Sequence, residues 1–95
     1  MTERRKVLKK EIEKELMKTI PFEYLNEHIC FNTKTPSGGY IRLDTIGGDM
    51  NCIVVEFAEN KKEAENNRFE DGDLLYLEDM TKNQMIEKVI ENINE

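Results

Sequence analysis

Three short stretches in the middle of the chain, His28 to Asn32, Tyr40 to Asp44 and Cys52 to Ala58, alternate apolar and polar residues in phase. Successive side chains of an extended strand point to opposite faces, so Ile29, Phe31, Ile41, Leu43, Ile53, Val55 and Phe57 fall on one apolar surface. The other surface carries His28, Cys30, Asn32, Tyr40, Arg42, Asp44, Cys52, Val54 and Glu56. A sheet that is oily on one side needs a cover there, and each end of the chain supplies an amphipathic helix.

The spacing Leu8, Ile12, Leu16, Ile20 predicts a helix over Glu3 to Thr19, with Val7 and Met17 beside the stripe. Pro21 disfavours helical backbone at Ile20 and stops it. Glu11 with Lys14 and Glu15 with Lys18 are acid-first pairs one turn apart. At the other end, Met85, Ile86, Val89, Ile90 and Ile93 form one helical face. Thr81 and Gln84 fit a capping box at its start, and Met80 with Met85 fit a hydrophobic staple.

Thr35-Pro36-Ser37-Gly38-Gly39 and Ile46-Gly47-Gly48-Asp49-Met50-Asn51 are the turns between the strands. Residues opposed across these turns share a face, so their numbers must sum to an even value, which allows loops of three or five residues and excludes two. Arg42 then faces either Glu56 or Val54. Phe22 to Glu27 stays open between a helical turn after Pro21 and a lead into the first strand. Beyond the third strand, Asn60 and Glu63 form a weak capping pair for a short helix to about Asn67. Asp71-Gly72 reads as a further turn, and Leu74 to Leu77 as a possible short fourth strand able to pair in parallel. The expected architecture is α+β: an N-terminal helix, a three-stranded antiparallel meander and a C-terminal helix, with the helices packed on one face of the sheet. Residues 1–95 form one domain, since a chain this short has room for one core.

Charge is unevenly distributed. Residues 1–18 hold seven bases against four acids, whereas residues 59–95 hold eleven acids against five bases. An acidic C-terminal half repels phosphate backbones and attracts basic surfaces, so direct nucleic-acid binding is disfavoured. No apolar run approaches the roughly 20 residues of a membrane span, and the charged N-terminus is not followed by an apolar stretch. The expectation is a cytoplasmic protein in which Cys30 and Cys52 are free thiols.

The densest set of hard oxygen ligands is Glu70, Asp71 and Asp73, followed by Glu78 and Asp79. It does not fit the spacing of a calcium loop, and a solvated turn explains it better. Glu78 and Asp79 also lie next to the last helix, where negative charge is favourable. His28 and Cys30 share a strand face, but structural zinc needs four ligands, usually in close pairs. In-line strand neighbours lie roughly 7 Å apart, too far for a cysteine–histidine nucleophilic pair. Neither glycine pair precedes a helix in a phosphate-binding fingerprint, so both read as hairpin turns. No catalytic residue, metal ligand or cofactor is assigned.

The order helix, three-stranded meander, helix resembles double-stranded RNA-binding domains, which bind through basic residues at the start of the last helix and in a strand loop. Here that helix start offers only Lys82 among Glu78, Asp79 and Gln84. The order and the acidic surface are also similar to small phage anti-CRISPR proteins, without a motif shared residue by residue.

What remains is the mixed sheet face of His28, Cys30, Tyr40, Arg42, Val54 and Glu56, over which the sequence places no cover. Aromatic, arginine and apolar side chains exposed together have the composition of an interface centre. The expected function is a non-catalytic protein-interaction module, either a homodimer or an acidic inhibitor of a basic site. It would engage its partner through this face or through the acidic patch of Glu70, Asp71, Asp73, Glu78 and Asp79. The rival is a small metal protein or enzyme built on His28 and Cys30 or on residues 70–73.

Overall fold

A computed structural model describes residues 2–34, 38–45 and 51–94. The elements run α1 (Thr2–Met17), β1 (Phe22–Leu25), β2 (His28–Asn32), β3 (Tyr40–Thr45), β4 (Cys52–Ala58), α2 (Lys61–Glu65), β5 (Glu70–Tyr76) and α3 (Lys82–Asn94). The strands form one antiparallel sheet in sequence order, β1 to β5. It is an α+β fold with five strands and three helices, where the sequence pattern predicts three or four strands.

The alternation sorts the two faces as expected. Phe31, Ile41, Leu43, Ile53 and Val55 are buried with Ile12 and Leu16 of α1 and with Met85, Val89 and Ile93 of α3 in the main core. Thr81 and Gln84 close their capping box: the Thr81 N–H donates to Gln84 Oε1 at 2.9 Å and the Gln84 N–H to Thr81 Oγ1 at 3.2 Å. Lys18 bonds Glu15 as the spacing predicts, but Glu11 turns away from Lys14 and pairs with Lys82 of α3 at 3.5 Å. Turn residues 35–37 and 46–50, including Gly47-Gly48, lie outside the described residues. At the first turn Gly38 has the positive φ of 72° that its glycine supplies, and the Thr33 N–H reaches Gly39 O at 3.0 Å, continuing the β2–β3 pairing.

The open segment 22–27 resolves into β1 and a tight turn. Leu25 opposes His28, leaving Asn26 and Glu27 as a two-residue loop with φ of 52° and 65°. Two consecutive positive φ values give the primed turn whose twist suits a hairpin. The Asn32 N–H donates to Pro21 O at 2.9 Å and holds the strand entrance.

The last strand corrects two expectations. It spans seven residues, not Leu74 to Leu77, and pairs antiparallel with β4. Asp71-Gly72 is not a turn. The register shifts between Val54 opposite Leu74 and Glu56 opposite Asp71, so β5 carries one residue more than β4 over that interval. This is a β-bulge. A Cβ on Gly72 would stand 2.9 Å from the Val55 carbonyl oxygen, which is why glycine occupies the crowded position.

The helices do not all share one face. α1 and α3 cover the main core, whereas Ala64 of α2 packs with Leu25, Cys30, Tyr40 and Ala58 on the opposite side, with Phe69 against them. Among the described residues no helix is long and apolar enough to cross a membrane.

Candidate functional site

The mixed sheet face is occupied from within. α2 starts at Asn60, whose side chain accepts the Glu63 N–H at 2.9 Å, and ends in a left-handed residue, Asn67, with φ of 58°. The Asn67 N–H bonds Ala64 O at 3.1 Å and the Arg68 N–H bonds Glu63 O at 2.8 Å. These two bonds are a Schellman cap with asparagine in place of the usual glycine. The cap turns the chain so that Asn67 and Phe69 come down on the sheet.

Arg42 is the point of contact. Its Nε donates to Glu56 Oε1 at 2.7 Å, its Nη1 donates to Asn67 Oδ1 at 2.6 Å, and its guanidinium carbon lies 3.8 Å from the centre of the Phe69 ring. The β3–β4 register thus selects the pairing of Arg42 with Glu56 over Val54. Both side chains of the ion pair are largely shielded, at 7% and 13% exposure. A second group joins β3, β1 and α2: the Tyr40 hydroxyl donates to Glu23 Oε2 at 2.5 Å, and Lys61 reaches Glu23 Oε1 at 3.2 Å. The Tyr40 bond and the Lys61 ammonium hold the Glu23 carboxyl below its usual range, and the same bond together with burial pushes the Tyr40 phenol up to about 12.

The structure therefore corrects the expectation that nothing covers this face. Cys30, Tyr40, Arg42 and Val54 are buried and His28 and Glu56 half-buried. Cys30 contacts the carbonyl oxygens of His28 at 3.6 Å and Leu25 at 4.0 Å, so it meets His28 through backbone and not through the imidazole. Burial pushes the Cys30 thiol up, the direction opposite to that of an activated nucleophile. Cys52 is buried and, like Cys30, a free thiol.

The acidic residues are distributed along a strand and a turn. Glu70 and Asp71 are exposed at the start of β5. Asp73 faces α3, where Asn92 Nδ2 donates to it at 2.8 Å and Lys88 stands 4.0 Å away. Glu78 and Asp79 are exposed in the turn before α3. Among the described residues no group of three or more His, Cys, Asp or Glu is placed to hold a metal ion.

Two features escape a strand-pattern reading. Phe57, Glu59, Glu63, Arg68 and Glu70 line a shallow notch of about 440 Å³ beside α2. Arg4, Val7, Leu8, Glu11, Leu77, Met80, Thr81 and Lys82 line a second of about 440 Å³ between α1 and the start of α3. The second joins segments from the two ends of the chain, and no local spacing announces it.

Comparison with known proteins finds no family model, curated protein or solved structure that matches this chain.

Proposed function

We propose that the chain is a non-catalytic protein-binding module whose acidic surface engages a basic surface on a partner. The observation that supports it is the exposed carboxylates Glu59, Glu65, Glu70, Asp71, Glu78 and Asp79, none of which forms an ion pair among the described residues. Exposed carboxylates without ion-pair partners raise the local negative potential and steer a basic partner into place. The sharper form of the reading is an inhibitor that fills a basic nucleic-acid or toxin site.

With the mixed sheet face buried, the acidic surface carries the proposal in place of that face. Capture of a partner from native extract by the tagged chain, at low and high salt, tests it against the variant Glu70→Lys/Asp71→Lys. The partner is expected to be lost in high salt and with the variant, because exposed charge pairs are screened within about 10 Å at 0.1 M salt. A partner retained under both conditions overturns the reading. Sedimentation of the purified chain tests self-association separately, and a dimer insensitive to salt would replace the acidic surface by an apolar contact.

A further inference from the structure

Two cores of unequal size lie on the two sides of the sheet. The larger joins both long helices to the sheet through twelve buried residues, whereas the smaller holds Leu25, Cys30, Tyr40, Ala58 and Ala64. Residues 59–69 contribute only Ala64 and, at its margin, Phe69 to the smaller one. Their remaining holds on the sheet are polar: Asn67 on Arg42, Lys61 on Glu23, and the Phe69 ring against the Arg42 guanidinium.

Every sheet group that these holds engage has a second partner within the sheet. Arg42 keeps Glu56, across the β3–β4 pairing, and Glu23 keeps the Tyr40 hydroxyl. Removing the segment therefore strands neither charge, and stranding is what makes the rupture of a buried ion pair costly. Its Schellman cap and N-cap are internal, and a five-residue helix lifted off the sheet is too short to hold them in water. A segment with little buried apolar area and replaceable polar anchors belongs to the low-stability end of a fold.

We propose that residues 59–69 form a strap that opens as a unit while the five-stranded sheet and the two long helices stay folded, and that opening uncovers Cys30, Tyr40 and Arg42. The strap is a conformational device independent of any partner's identity, and it goes beyond the binding role of the acidic surface. The closed state hides the mixed face of the sheet; the open state presents an aromatic ring, a paired guanidinium and a thiol together.

The thiol supplies the probe. In the Cys52→Ser protein, Cys30 is expected to react with a thiol reagent through an opening that depends little on urea at low concentration, whereas global unfolding depends on it steeply. Amide exchange at Asn67 and Arg68, whose N–H groups close the Schellman cap, is expected to give the same opening equilibrium as the thiol. Asn67→Gly keeps the left-handed backbone and deletes the amide that holds Arg42. It is expected to speed Cys30 labelling about tenfold, as suits a lost hydrogen bond to a charged group, and to leave that labelling as insensitive to low urea as before. A Cys30 rate that follows global unfolding overturns the proposal. So does exchange at Asn67 and Arg68 as slow as in β3 and β4, which would assign any Cys30 reactivity to fraying of the β1–β2 hairpin.

Discussion

Arg42 stands at a position that strand alternation marks as facing water, and its burial turns a surface residue into a hinge between layers. Alternation narrows its cross-strand neighbour to Glu56 or Val54; the Nε to Oε1 contact of 2.7 Å belongs to the first. Nothing local announces that Asn67, twenty-five positions on, supplies the other acceptor. Because both members of the ion pair are shielded, Arg42→Glu sets two carboxylates against each other under α2 and is expected to cost about 3–5 kcal/mol in urea unfolding. An exposed arginine would lose less than about 1 kcal/mol. Tyr40 carries a pH signature. Its phenol holds its proton up to about pH 12 in the folded state against about 10 unfolded, so the stability it adds is complete below pH 10 and is lost as the pH rises through 12. Glu23 works in the opposite sense. Its lowered folded value adds stability above its ordinary value that disappears as acid titrates it. Tyr40→Phe is expected to be less stable by about 1.5–3 kcal/mol near pH 8, the worth of a hydrogen bond to a charged group. The gap to the parent protein should close between pH 10 and 12 in a denaturation series.

The elements with a clean apolar period were legible, and those without one were not. Ile12 and Leu16, or Met85, Val89 and Ile93, repeat at helical spacing because one face of each helix meets the sheet. β1 escapes because its turn is Asn26-Glu27. Glutamate rarely adopts a positive φ, so the strong Asn-Gly hairpin signal is missing. β5 escapes in part because the bulge resets its alternation midway, leaving only its end to read as strand. The same bulge serves the sheet edge. Glu70, Asp71 and a local twist at Gly72 discourage another strand from pairing there. Gly72→Ala drives a Cβ to 2.9 Å from the Val55 carbonyl oxygen. It is expected to cost about 1–3 kcal/mol, as overpacking does, and to speed amide exchange in β5 before β2 or β3. Equal acceleration across the sheet would mean that the bulge is not a local joint.

At the scale of the whole molecule the candidate site was the least legible part, because its cover is nearly invisible in sequence. Ala64 and Phe69 are the apolar members of Lys61 to Glu70, and two residues five apart carry no period that a pattern can detect. The consequence is a sheet whose two sides are secured very differently. One side is closed by interlocking Ile, Leu, Val and Met side chains from α1, α3 and three strands, and removing any of them is felt throughout. The other is closed by one alanine, one phenylalanine and a few polar contacts. A buried carboxylate introduced on each side should separate the two cases. Ile53, fully buried in β4, lies at the centre of the larger core, so Ile53→Asp is expected to cost more than about 4 kcal/mol and abolish the cooperative transition. Ala64, equally buried, lies under the strap, and Ala64→Asp can return its charge to water by lifting residues 59–69 alone. Its amide spectrum should keep the chemical shifts of α1, α3 and the central strands while losing those of α2. If Ala64→Asp unfolds the chain as completely as Ile53→Asp, both faces belong to one cooperative unit and the mixed face is sealed for as long as the protein is folded.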